Sequence, residues 1–256
     1  MIHATAIVHR GAKLAPDVEV GPYSIIGEHV EIGAGSVIGP HVVINGHTRI
    51  GERNRIFQFA SLGEVPQDKK YAGEPTRLEI GNDNMIREFC TFNLGTAQDI
   101  GVTRVGDSNW IMAYVHLAHD CQIGSHTVLA NSVTLAGHVF IDDHAILGGA
   151  TLVHQFCRVG VNAFTAGGSV VLRDVPPYVM SSGNSAAPHG INTEGLKRRG
   201  HSAATIESVR RAYKTLYRSG LGFEDAKVAI AQEAAAVPAL QVLADFLATS
   251  ERGIIR

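Results

Sequence analysis

Aliphatic residues recur along this chain with a period of six. Ile2, Val8, Leu14, Val20, Ile26, Ile32, Ile38, Ile44, Ile50, Ile56 and Leu62 hold one position in eleven successive hexapeptides. The series resumes in phase at Ile80 and Ile86. It slips by one across a polar insertion and runs on through Val105, Ile111, Leu117, Ile123, Leu129, Leu135, Ile141, Leu147, Val153 and Val159. The next residue is often glycine (Gly21, Gly27, Gly33, Gly106, Gly124, Gly148), and the fifth position is small or β-branched (Ala6, Ser24, Ser36, Ala60, Thr127, Ala145). A helix turns about 100° per residue, so residues six apart would lie on different faces. Short strands joined by turns fit instead, each with one large and one small inward side chain and glycine in the turn. Three such strands make a triangular coil of about 18 residues, and successive coils stack about 4.8 Å apart.

Two polar stretches, residues 63–77 and 95–104, break the series and read as loops leaving the coil. After Val171 the period fades, and Asp174-Val-Pro-Pro-Tyr178 reads as a turn. From Ser202 the spacing becomes helical, with Ile206, Val209, Ala212, Tyr213, Leu216 and Tyr217 on one face and Gly220 at the stop. Shorter helices are expected near 223–236 and 238–249. The organisation read from this is a mainly β solenoid over 1–190 and a helical domain over 191–256 that caps the last coil. The hexapeptides resemble those of the hexapeptide-repeat acyltransferases. That resemblance implies a left-handed parallel β-helix, a handedness that runs against the usual right-handed crossover.

Composition narrows the function. Of 256 residues, 45% are hydrophobic and 18% charged, a globular balance, and the net charge of −2 provides no global field to recruit nucleic acid. No run of about 18 apolar residues exists to span a membrane. The start MIHATAIVHRG lacks a basic stretch followed by an apolar core, so no signal peptide is expected. Three cysteines provide no disulfide framework and fit a reducing cytosol. Cys90, Cys121 and Cys157 all occupy the small inward slot, where a buried thiol is a poor nucleophile.

The chemistry gathers on one edge. Histidine at the fourth position, as in His29, His41, His47, His126 and His144, reads as a solvated corner residue. The run Tyr114-Val-His-Leu-Ala-His-Asp-Cys121 differs by placing His116, His119 and Asp120 together. Position 137 stacks one coil beyond 119, and position 155 one coil beyond that, so His119, Gly137, His138, His154 and Gln155 share an edge. Such a row is either an acid–base site or a coincidental polar stripe.

The segments YVHLAHDC, LAGHV, VHQFC, DVPPY, GINTEGLKRRG and QDKKYAGEPTRLEIG resemble the UDP-N-acetylglucosamine O-acyltransferase family over nearly the whole chain. In that family an (R)-3-hydroxyacyl group passes from acyl carrier protein to the sugar 3-hydroxyl, the first step of lipid A synthesis. The resemblance implies His119 as general base, Asp120 as its orienting partner and Gly137 as a backbone oxyanion donor. It implies substrate contacts from Asp68, Lys70, His116, His138, His154, Gln155 and Gly167, and nucleotide contacts from Asn192, Glu194, Arg198 and Arg199. It further implies no metal and no resident cofactor, since 4′-phosphopantetheine arrives on the carrier protein. A homotrimer in the cytoplasm of a Gram-negative bacterium is expected, with no membrane insertion. Arg158, Arg173, Lys197, Arg198, Arg199, Arg210, Arg211, Lys214 and Arg218 are a basic region suited to the acidic carrier.

Other classes are possible on the residues alone: a later-pathway N-acyltransferase, a zinc hydratase on the same solenoid, or a non-catalytic scaffold. One departure stands out. The family usually reads Thr-Ile-His-Arg-Gly where this chain has Thr91-Phe-Asn-Leu-Gly95. Leu94 is expected one coil beneath His119, and loss of a cation there points to altered acceptor handling, such as tolerance of a 3-amino sugar. Acyl-chain length is not fixed by Gly167, Ala166 and Ser185.

Overall fold

The structure is a computed structural model that describes all 256 residues. Strands Ile7–Val8, Lys13–Leu14 and Glu19–Val20 each pair in parallel with the strand one coil on: Ile7 with Ile25, Lys13 with Glu31, Glu19 with Val37. Repetition builds three sheets, here I (from Ile7, nine strands), II (from Lys13, eight) and III (from Glu19, ten). The chain runs from I to II to III and back, as a left-handed parallel β-helix. The right-handed rule depends on twisted strands feeding a crossover helix; most strands here are two residues long and are joined by tight corners, so that lever is lost.

Within each short strand the first residue faces out and the second in, which is why a single aliphatic column carries the core. Ile26, Ile38, Ile44, Ile111, Leu117 and Leu129 are all fully buried. Where the small inward slot holds Asn54, Asn84 and Asn109, each Oδ1 accepts the backbone N–H of the next coil (Asn84, Asn109 and Thr127, 2.8–3.0 Å), so these amide oxygens are paired inside the solenoid. Corner residues take the left-handed region without being glycine, among them Tyr23, His41, Phe59, His126, His138 and His144. Backbone bonds between coils, such as His126 N–H to Asp107 O at 2.8 Å, offset that strain. This explains His41, His126, His138 and His144 as corner residues, whereas His47 opens the strand His47–Ile50 and the corner before it falls on Gly46.

The fading period does not end the coil. Val175 bridges to Val159, and Val179–Ser182 pairs in parallel with Phe164–Thr165, so Asp174-Val-Pro-Pro-Tyr178 carries one more partial turn. Two prolines displace the aliphatic register, which hid this turn from the periodicity. Ala187–Ile191 then folds back antiparallel on Val179–Ser182. Four helices follow: α1 (Thr193–Arg198), α2 (Ala203–Arg218, capped by Ser202 with Gly220 beyond its end), α3 (Phe223–Ala234) and α4 (Gln241–Ala248).

Candidate active site

Every element of the histidine row emerges from the corner between sheets I and II. Both insertions leave there, the first between strands Ser61–Glu64 and Arg77–Ile80, the second between Thr91–Asn93 and Val102–Val105. The next three coils present His119–Asp120, Gly137–His138 and His154-Gln155-Phe156 at the same corner. Register confirms the stacking: His116 pairs with Thr134 and Leu117 with Leu135, and the His138 N–H donates to His119 O at 3.0 Å.

His119 and Asp120 lock together. His119 Nδ1 lies 3.0 Å from Asp120 Oδ2. The Asp120 side chain is fully buried and also accepts from Thr96 N–H (3.0 Å) and Thr96 Oγ1 (2.6 Å), while its own N–H donates to Thr103 Oγ1 (2.8 Å). Asp120 as hydrogen-bond acceptor to the ring fixes the Nδ1–H tautomer, leaving Nε2 as the basic nitrogen. Gly137 lies directly beside that ring: a Cβ built on it would sit 2.5 Å from His119 Cε1 and 2.6 Å from Nε2. Its N–H donates to no protein acceptor. His138 meets His119 edge-on (4.8 Å, 86°) and stacks on Phe156 (4.3 Å, 7°). His116 Nδ1 contacts Thr91 Oγ1 at 2.7 Å, and burial pushes this imidazole below its ordinary value. His154 and Gln155 are exposed.

The ligand atoms of His119, Asp120 and His138 all lie within 4.8 Å of one another. The carboxylate is already committed to Thr96 and to the His119 imidazole, so the cluster reads as an acid–base pair with a neighbouring ring. A cavity of about 600 Å³ opens beside it, lined by His138, Phe156, Arg158, Asp174 and Arg252.

The other sequence-assigned residues are spread along the chain, Asp68 and Lys70 in the first insertion, which leaves the His119 corner. Asp68 turns the first insertion by accepting the Lys70 N–H at 3.0 Å, and Lys70 is exposed. Gly167 is at the corner between sheets III and I, the far side of sheet I. Asn192 caps α1, accepting from Gly195 N–H (3.0 Å) and donating to Asn162 O (3.0 Å), which ties α1 to the solenoid and leaves one amide N–H and one lone pair unused by these bonds. Arg199 reaches His144 O at 3.4 Å, and Glu194 pairs with Lys197 at 2.9 Å. Asn162 and His144 stand at the corner between sheets II and III, so α1 with Arg198 and Arg199 belongs to a different edge from His119. Of the basic region, Lys197, Arg210 and Arg211 pair with acidic neighbours within the chain.

Leu94 stands one coil beneath His119, as expected from the register, but it is buried. It is 3% exposed and packs in the core, where a Cβ on Gly46 would meet its Cδ1 at 2.8 Å. Its N–H still donates to Glu64 O of the preceding coil at 3.0 Å, past a register shift between Leu62 and Glu64, and the side chain is buried rather than set in a solvated turn. Asn93 is also buried; its Nδ2 donates to Val65 O (3.2 Å) while its Oδ1 has no partner. Sequence reasoning missed Thr96, Thr103 and Asp99, which lie in or beside the second insertion, where no repeat phase assigns a direction to a side chain.

The cysteines behave as the inward slot predicts. Burial pushes the Cys121 thiol up to about 12, and its Sγ lies 3.2 Å from Ala136 O. Cys121→Ala should therefore retain transfer and lose about 1 kcal/mol of stability, measured by urea unfolding beside a turnover assay. Loss of turnover with normal stability would revive a covalent thiol mechanism.

The stretch 174–255 matches the family described as UDP N-acetylglucosamine O-acyltransferase, domain 2, and 103–137 matches the bacterial transferase hexapeptide repeats. The chain is 64% identical to the acyl-(acyl-carrier-protein)–UDP-N-acetylglucosamine O-acyltransferase of Thiobacillus denitrificans, over 100% of this chain and 99% of that protein. It is 59% identical, with the same coverage, to the Neisseria gonorrhoeae protein of that name. Among solved structures, the Francisella novicida UDP-N-acetylglucosamine acyltransferase superposes with a TM-score of 0.99 at 48% identity, covering 100% of this chain and 94% of that one. The Moraxella catarrhalis UDP-N-acetylglucosamine O-acyltransferase gives 0.97 at 47%, covering 100% and 99%.

Proposed function

The chain belongs to the UDP-N-acetylglucosamine O-acyltransferase family, and on that footing we propose that His119 is the general base of its reaction. The enzyme moves an acyl group from acyl carrier protein to UDP-N-acetylglucosamine. The observation that carries the mechanism is the buried His119–Asp120 pair with Gly137 against the imidazole. Nε2 of His119 takes the proton of the sugar 3-hydroxyl as its oxygen bonds to the thioester carbonyl carbon. Charge collects on the carbonyl oxygen, for which the free Gly137 N–H is the donor at hand. Collapse breaks the carbon–sulfur bond, and the imidazolium returns its proton to the departing phosphopantetheine thiolate. No enzyme-bound acyl group is required. The transferred group is an (R)-3-hydroxyacyl chain, which lies across the outer face of sheet I from His119 toward Gly167, past the outward-facing Leu152 and Val170.

The site is completed by a second copy of the chain. The outer face of sheet II carries a ladder of charge, with Lys13 on Glu31 (2.6 Å) and Arg104 on Glu79 (2.8 Å), as befits a solvated surface. The outer face of sheet III carries Glu19 and Arg55 on its first strands but is apolar from Met85 onward: Met85, Trp110, Val128, Ile146, Phe164 and Met180. At its junction with sheet I stand the stacked rings of Tyr23, His41, Phe59, Phe89 and Tyr114. Such a surface fits burial between subunits. In a cyclic assembly with that edge toward the axis, the His119 corner of one copy adjoins the corner of the next that carries α1. This supports the homotrimer, with Arg198 and Arg199 supplied by the neighbouring subunit to the nucleotide diphosphate.

Subunit mixing tests the arrangement. His119→Ala and Arg199→Ala should each be inactive alone. Co-refolded in equal amounts, they should recover about a quarter of wild-type turnover, since half times half of the interfaces are intact. No recovery in mixed trimers, or an active monomer by light scattering, would reject the shared site.

A further inference from the structure

The second insertion does more than leave the coil. At its base Thr96 donates its N–H and hydroxyl to Asp120, and a Cβ on Gly95 would lie 2.8 Å from Asp120 Oδ1. Its far end climbs past the His119 coil to the next, where Asp99 Oδ2 lies 2.5 Å from His138 Nδ1. One short loop thus holds a carboxylate under the first ring and supplies its own carboxylate to the second.

The distances make the second contact consequential. Asp120 Oδ2 is 3.0 Å from His119 Nδ1 and 3.9 Å from His138 Nδ1, so the same oxygen is within reach of both imidazoles. A ring that donates Nδ1–H must find an acceptor. With Asp99 present, His138 has its own, and Asp120 is left to His119. Phe156, stacked on the other side, fixes the plane of the His138 ring.

We propose that Asp99 is a positioning residue for the transfer reaction: it holds His138 as the Nδ1–H tautomer, presents Nε2 to substrate, and prevents His138 from drawing Asp120 off the base. The first two roles rest on reading His138 as a substrate contact; the third acts through His119. The chemistry at Nε2 is that of a single neutral acceptor, suited to a hydroxyl or amide N–H of the sugar or of the pantetheine arm. Without Asp99, His138 turns toward Asp120, and two rings compete for one carboxylate.

Asp99→Ala should lower kcat/KM about tenfold, the scale expected when a reacting group is misplaced by a fraction of an ångström, and Asp99→Glu should restore part of that loss. In ¹⁵N spectra of the trimeric enzyme, the His138 ring should lose its fixed Nδ1–H signature in Asp99→Ala. A loop that merely needed Asp99 to fold would injure the enzyme whatever stands at 138. Here Asp99→Ala added to His138→Ala should cost nothing further, because the ring that Asp99 restrains is gone. Additive losses in the double variant, or kcat/KM within about twofold of wild type in Asp99→Ala, would overturn the proposal. His119→Ala measured alongside reports on the base by itself: an inactive His119→Ala with an unimpaired Asp99→Ala rejects Asp99 and leaves the general base standing.

Discussion

His119→Ala is expected to lower turnover at least about 10²-fold, the lower end for removal of a general base, while the protein unfolds at its usual denaturant midpoint. The asymmetry follows from placement. The imidazole projects from a corner and contributes nothing to the aliphatic column, and Asp120 keeps its Thr96 bonds when the ring is gone. Carrier protein and sugar nucleotide should still bind, so the loss falls on kcat more than on KM. Near-normal turnover in a folded His119→Ala protein would remove this residue from the mechanism.

Gly137→Ala should be nearly as damaging by a different route. The Gly137 backbone is not in the left-handed region, so alanine is conformationally acceptable there. The new methyl group, however, would stand 2.5–2.6 Å from Cε1 and Nε2 of His119, well inside contact distance. The ring must move, and displacement of a reacting group by about 1 Å can cost about 10²-fold. Transfer should fall about 10- to 10²-fold, with little change in thermal stability. In a His119→Ala background the methyl group has nothing to displace, so Gly137→Ala should add almost no further loss. A clear additional loss there would mean that the methyl group acts by obstructing substrate or packing rather than by displacing the base.

Because Leu94 lies in the core, Leu94→Arg would bury a cation against Gly46 and destabilise the coil. Asn93→His alone is the informative variant for comparing 3-hydroxy with 3-amino UDP-sugars, since the unpaired Asn93 Oδ1 lies beside the start of the first insertion.

The sequence by itself determined the solenoid, because a period of six with an inward aliphatic leaves a triangular coil as the packing solution, and each phase then has a fixed direction. That phase logic placed Cys121 inside, set His119, Gly137 and Gln155 on one edge, and put histidines at corners. It failed where the phase lapsed. Asp174-Val-Pro-Pro-Tyr178 continues the coil because parallel backbone pairing does not require the aliphatic register that two prolines displaced. Leu94 is buried beside a register shift between Leu62 and Glu64, an irregularity that no repeat encodes. Only the tertiary structure decided what holds Asp120, that Asp99 reaches His138, and that α1 stands on a different corner from the base. These are contacts between segments 24 to 55 residues apart, made by loops and a helix whose direction is set by whatever they pack against rather than by any local pattern.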